Sequence, residues 1–266
     1  MIVTTINVNG IRAAVKERSA ENLGLLPWLA QTASDVVCLQ ETRADDAQLA
    51  QALAPALDDG WHLSSAEPHL KGRNGVAVLS RSPITAARPG LGDEFAAHGR
   101  YLEVDTADAT VVSVYVPTGE AETDKQVEKE RFMVALAGRM AELRRKRRGV
   151  VVCGDWNICA TELDLKAWKA NVKKSGFLPS ERQWLAELMA SGWTDVVREL
   201  HPEVPGPYSW WSWRGKAFDN DAGWRIDYHL ANAALASRAT AARVERAQTY
   251  ALRWSDHAPV TVHYDC

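Results

Sequence analysis

The stretch Val150-Val151-Val152-Cys153-Gly154-Asp155-Trp156-Asn157-Ile158 holds the clue to the fold. Four apolar residues in a row, three of them β-branched, predict a strand buried on both faces. A glycine, a carboxylate and then an amide end it. The same pattern recurs on either side. Ile6 gives way to Asn7 and Asn9, Val36-Val37-Cys38-Leu39 to Gln40-Glu41, Arg225-Ile226 to Asp227-Tyr228, and Trp254-Ser255 to Asp256-His257. One Asp or Asn at a strand end is ordinary turn chemistry. A whole series made of oxygen donors plus one histidine suits a hard divalent cation instead, Mg²⁺ first of all.

Short β-type runs are predicted at residues 2–8, 35–40, 75–80, 101–105, 110–116, 150–153, 225–230 and 259–264. Between them, Val127, Phe132, Leu136, Met140 and Leu143 recur at helical spacing and predict a helix over 125–148. A second helix is predicted from an N-cap at Ser180, with Gln183 at the capping-box position, to Ala190. No Pro/Gly-rich linker divides the chain, so a single domain over 1–266 is expected. The fold class is α/β, with two mixed β-sheets packed face to face and helices outside.

Charged residues at 24% and hydrophobic residues at 46% exclude a disordered or fibrous class. Cys38, Cys153, Cys159 and Cys266 form no C-x-x-C pair, and the first two sit in apolar runs as buried thiols of a reducing compartment. Met1-Ile2-Val3-Thr4-Thr5 carries no basic leader pattern and no apolar run reaches membrane-spanning length, so a cytoplasmic protein without a membrane partner is expected, a monomer by default. The net charge of -3 weighs against a nucleic-acid partner unless a local basic rim surrounds an acidic centre.

Phosphodiesters resist hydrolysis because their oxygens repel a nucleophile and their alkoxide leaves poorly; a metal and a water-activating carboxylate remove both obstacles. Glu41 is the natural metal ligand and Asp155 the natural base, while Asp227 and His257 suit a carboxylate–imidazole pair that keeps the ring cationic against phosphate.

Six ordered blocks then resemble those of the exonuclease III and apurinic/apyrimidinic (AP) endonuclease family: residues 7–13 (NVNGIRA), 39–42 (LQET), 114–117 (VYVP), 154–158 (GDWNI), 223–228 (GWRIDY) and 255–259 (SDHAP). The resemblance implies a four-layer α/β sandwich, Mg²⁺ with Mn²⁺ as a substitute, and double-stranded DNA with abasic sites or blocked 3′ ends as partner. Its implied activities are incision 5′ to abasic sites and 3′–5′ trimming. It also implies roles: Glu41 binds the metal with Asn9 and Asp256; Asp155 activates water; Asn7, Tyr115, Asn157 and His257 hold the scissile phosphate, with Asp227 behind His257.

Four of the 11 tryptophans, Trp210, Trp211, Trp213 and Trp224, crowd one segment. Trp211 and Trp213 read as core, whereas the resemblance implies that Trp210 and Trp224 line a pocket for an extruded, baseless sugar. If residues 162–174 are helical, Lys166, Lys169 and Lys173 share a face suited to phosphates. Lys71 and Arg73 flank a turn of the same kind. The run 144–148 (RRKRR) reads as a helix end rather than a DNA site, because cations offset the C-terminal dipole. Asn9 stands where many eukaryotic relatives have an aspartate and Thr118 where relatives have an amide. Arg214 replaces an apolar wedge and could enter a groove. Two other readings compete: a phosphodiesterase of the same superfamily acting on a lipid or small-molecule phosphate, and a catalytically inert DNA-damage binding module.

Overall fold

The computed structural model describes all residues, 1–266. Twelve strands form two sheets of six. In chain order they are β1 Ile2–Asn7, β2 Val36–Gln40, β3 His62–Ala66, β4 Val76–Ser80, β5 Ala86–Pro89, β6 Tyr101–Asp105, β7 Ala109–Tyr115, β8 Gly149–Asp155, β9 Trp193–Asp195, β10 Asp227–Asn232, β11 Ala239–Val244 and β12 Val260–Tyr264. One sheet runs β11-β12-β1-β2-β4-β3 and the other β5-β6-β7-β8-β10-β9. Each sheet has a single parallel pair near its centre, β1 with β2 and β7 with β8, among antiparallel neighbours.

The period-two alternation of the strands explains the layering. Val36 and Cys38 of β2, with Val151 and Cys153 of β8, enter the core between the sheets. Val37 and Leu39 face outward into one helical layer, and Val150 and Val152 into the other. Burying such a side chain contributes about 1.5–3 kcal/mol, so strands with both faces covered read as continuous apolar runs.

The helix Asp124–Leu143 is capped by Thr123, whose hydroxyl accepts from the Lys125 N–H, and it covers the second sheet with Phe132, Met133, Leu136, Met140 and Leu143. It stops five residues short of the predicted end, and Val127 from the predicted stripe is half exposed. The second predicted helix runs Pro179–Ala190, and its entry is arranged differently from the prediction. Leu178 is the N-cap and Glu181 accepts the Leu178 N–H; Ser180 and Gln183 do not cap it.

Register places the site. In the parallel pairs Asn7 lies opposite Gln40 and Tyr115 opposite Asp155. Antiparallel β10 begins with Asp227 opposite Asp155, and β12 begins beside the end of β1 with Thr5 opposite Val260. The C-terminal ends of four strands and the entries to two others therefore meet at one end of the sandwich. Gly154 permits the closest approach there: at φ +148 a Cβ would lie 1.9 Å from the Val114 carbonyl oxygen.

Candidate active site

A cavity of about 260 Å³ opens where those strand ends converge. Asn9, Glu41, Asp155, Asn157, Trp210, Trp224, Asp256 and His257 all line it. Asn7, Tyr115 and Asp227 lie buried beneath its wall. Arg73, Arg214, Lys166, Lys169 and Lys173 are exposed outside it.

Hydrogen bonds thread the buried residues together. The Asn7 amide donates to Glu41 Oε1 and to Asp155 Oδ2, each at 2.9 Å. Asp155 Oδ2 lies 3.7 Å from His257 Nε2, and His257 Nδ1 is 2.8 Å from Asp227 Oδ2, which also accepts from the Ser209 hydroxyl at 2.6 Å. A carboxylate facing a ring nitrogen only accepts, so Nδ1 carries a proton and Nε2 is directed at Asp155. Ser255 donates to the Asn7 carbonyl at 2.6 Å and fastens the Asp256-His257 turn to β1.

Electrostatics follow from burial and crowding. Burial raises the Asp155 carboxyl, and although His257 draws it down, Asp227 and Glu41 push it up again, to about 7. Burial alone would lower His257, but Asp227 and Asp155 outweigh it and lift the imidazole to about 10. At neutral pH the ring is a cation between two acids. Burial likewise raises the Tyr115 phenol, keeping it a neutral donor.

The backbone is held in unusual conformations where the polar residues sit. Asn9, Glu41 and Asn157 adopt left-handed φ values of 48°, 50° and 51°. Such residues cost about 1–3 kcal/mol each and persist only where their surroundings over-determine them.

The donor set fits a hard cation. Glu41, Asn9 and Asp256 supply carboxylate and amide oxygens to one cavity, and Mg²⁺ commonly takes only one or two carboxylates while keeping waters. Arg43 pairs with Glu41, while Asp256 accepts from the Asn9 amide at 2.9 Å and from the Trp210 indole at 3.1 Å.

The tryptophans divide by depth. Trp210 and Trp224 meet edge to face, 6.0 Å between ring centres, and form an apolar wall with Ile226. Trp211 is buried as core. Trp213 is 40% exposed and packs on Tyr250, so it is not core as expected.

Residues 162–174 do not form one helix. Two short 3₁₀ turns, Glu162–Asp164 and Trp168–Ala170, replace it, because Asp164 is drawn inward by Arg225 and Arg198. The shared lysine face is thereby lost, although Lys166, Lys169 and Lys173 stay exposed. In the basic run, Arg144 caps the Asp124–Leu143 helix and donates to the Ser191 carbonyl, Lys146 pairs with Glu103, and Arg148 donates to the Thr106 carbonyl. Those cations are occupied by the protein itself.

Sequence reasoning missed Arg43, Arg100, Ser175 and Gly176. Arg100 stacks its guanidinium 4.7 Å above the Tyr115 ring. Arg43, two residues after Glu41 and of opposite charge, was the one legible pairing. Ser175 and Gly176 line the cavity through a loop with no local signature.

Comparison with known proteins agrees with this fold. The endonuclease/exonuclease/phosphatase family profile matches residues 4–257. An exodeoxyribonuclease of Bacillus subtilis is 32% identical over 96% of this chain and 95% of its own length. A DNA repair nuclease of Danio rerio is 29% identical over 98% of this chain and 81% of its own. Among solved structures, a 3′ phosphatase from Neisseria bound to a product DNA hairpin superposes with TM-score 0.88 at 31% identity, covering both chains fully. An AP endonuclease from Archaeoglobus fulgidus gives TM-score 0.90 at 26% identity, again over all of both chains.

Proposed function

The chain belongs to the endonuclease/exonuclease/phosphatase family, in its exonuclease III and AP endonuclease branch, and from that premise we propose that this DNA repair nuclease incises duplex DNA 5′ to abasic sites and trims 3′ ends. One observation carries the reading: a buried Asp155–His257–Asp227 array shares one cavity with an apolar wall of Trp210 and Trp224. The array suits phosphodiester hydrolysis, and the wall suits a sugar that has no base.

In this mechanism Asp155 accepts a proton from the attacking water, a role suited to a carboxyl lifted to about 7. The cationic His257 donates from Nε2 to a phosphate oxygen as negative charge builds there, and Asp227 holds the ring in that tautomer. Asn157 and Tyr115 orient the scissile phosphate, whereas Asn7, expected to do the same, is buried with its amide committed to Glu41 and Asp155 and positions those two carboxylates instead. Glu41, Asn9 and Asp256 would hold Mg²⁺, with Mn²⁺ as a substitute, and the bound ion would neutralise charge on the phosphate and on the leaving oxygen. Lys166, Lys169, Lys173, Arg73 and Arg214, all exposed and outside the cavity, serve in this reading as contacts for the DNA backbone.

Purified protein with Mg²⁺ is expected to nick a duplex carrying one abasic analogue, and EDTA to abolish the cut, read on a denaturing gel. Cleavage of a lipid headgroup with abasic DNA left intact would overturn the reading in favour of a lipid phosphodiesterase. Tight abasic binding without a cut would favour an inert binding module.

Trp224→Ala should lower abasic incision by about tenfold, the effect of losing one apolar contact of roughly 1–3 kcal/mol, while removal of normal 3′ nucleotides changes less. Equal losses on the two substrates, measured side by side, would remove Trp224 from the sugar pocket.

A further inference from the structure

Lys129 is fully buried on the Asp124–Leu143 helix, and its ammonium lies 2.7 Å from Glu181 Oε1, equally buried on the Pro179–Ala190 helix. A buried ion pair is weak evidence for stability, since two apolar residues of similar size often serve a fold as well. Its retention asks for another reason, and the remaining partners supply one. Lys129 Nζ donates to the Asn157 carbonyl at 2.9 Å, to the Thr118 carbonyl at 3.3 Å and to the Ser175 hydroxyl at 3.3 Å. Thr118, Asn157 and Ser175 belong to three different loops, and all three line the cavity.

Glu181 extends the same knot. Its Oε2 accepts from the Gly176 and Leu178 N–H groups at 2.7 and 3.0 Å, and its Oε1 accepts from the Ser175 hydroxyl at 3.1 Å. The single Ser175 proton is divided between Glu181 and the Thr118 carbonyl, whose oxygen lies nearer, at 2.8 Å.

Asn157 is the sensitive member. It is held left-handed at φ 51°, its N–H donates to Asp155 Oδ1 at 2.9 Å, and Lys129 is the only donor to its carbonyl. The residue is gripped from both sides, by the catalytic carboxylate on one and by the ammonium on the other. The ammonium has three N–H bonds radiating from one point and divides them among Glu181 and oxygens of three loops, the Asn157 carbonyl being the nearest of the loop acceptors.

We infer that Lys129 is a positioning residue for phosphodiester cleavage: through the Asn157, Thr118 and Ser175 oxygens it holds the three cavity loops in register and so aims the Asp155–Asn157 turn. The inference rests on the nuclease reading above. Misplacing a reacting group by about 1 Å costs on the order of 10²-fold in rate, and Lys129 lies outside the apolar wall that takes the damaged sugar.

The test compares Lys129→Met, the apolar pair Lys129→Met with Glu181→Met, and Lys129→Arg, by steady-state kinetics and thermal melting. Both Met variants should lose about 10- to 100-fold in kcat with KM for DNA within about threefold of wild type. The loss should be equal for abasic incision and for removal of normal 3′ nucleotides, because Asp155 serves both. The apolar pair should melt below wild type, because the Gly176 and Leu178 N–H groups lose their acceptor, so the distinction rests on Lys129→Arg, which should recover part of kcat at unchanged KM, an outcome that a purely structural role does not produce. If the Met variants melt below the assay temperature, Lys129→Gln keeps an amide donor in similar volume and should fall about tenfold in kcat at unchanged KM. A folded Met or Gln variant within threefold of wild-type kcat, or a loss confined to KM, overturns the inference. Wild-type protein assayed in parallel separates the two failures, since absence of any cut by wild type condemns the nuclease reading rather than the role of Lys129.

Discussion

Asp155→Asn is expected to lower kcat by about 10³-fold or more, within the range that a positioned general base contributes, while the variant melts no lower than wild type at pH 8. The second half follows from the carboxyl's position. Burial raises Asp155 to about 7, so its ionised form is disfavoured in the folded state. For an acid raised on folding, the favourable contribution is complete below its unfolded value and fades as pH rises through about 7, so at pH 8 the wild type carries the full cost of a buried carboxylate. The amide removes that charge, but it loses part of the acceptor pattern that Asn7 and Asn157 satisfy at 2.9 Å each. A rapid-quench incision assay and a melt at pH 8 check both halves; a variant that loses less than tenfold would remove Asp155 from the role of base.

Asp227→Asn should have the next largest effect, about 10²-fold in kcat at pH 8.5, and it should reshape the pH profile. In wild type, kcat/KM rises as Asp155 loses its proton near 7 and falls as His257 loses its own near 10. Replacing Asp227 removes the largest favourable field on the ring and the 2.8 Å contact to Nδ1, so burial lowers the imidazole and the alkaline limb moves to lower pH. Stability carries the same sign. A histidine raised on folding stabilises fully below its unfolded value near 6.5 and loses that contribution as pH rises through about 10. Wild type should therefore out-melt Asp227→Asn at pH 6 by more than at pH 10.5. His257→Ala should lower turnover more than DNA affinity, because its contact strengthens as the phosphate gains charge; equal losses in both would refute that assignment.

The strands missed by periodicity share one property. β3, β5, β9 and β11 are the four edge strands of the two sheets. An edge strand has one neighbour and exposes part of each face, so its apolar alternation is diluted; Ala86–Pro89 and Ala239–Val244 hold no fully buried residue. Six of the interior strands declared themselves within about a residue at each end, and β8 and β10 each extend two residues past the predicted end, because both of their faces or one whole face must be apolar. The lysine segment misled for the opposite reason. Its helical spacing is real, but Asp164 is recruited by Arg225 at 2.7 Å and the backbone turns inward to follow it.

By itself the sequence determined the alternation that builds two covered sheets and the polar residues that close their strands, since both are local patterns within a few residues. Tertiary structure alone decided that Asp155, Asp227 and His257 meet and that Lys129 joins three loops. These contacts span up to 102 residues between Asp155 and His257. They depend on strand register and on left-handed turns at Asn9, Glu41 and Asn157, which local propensity does not encode and which only the packing of one sheet against the other makes affordable.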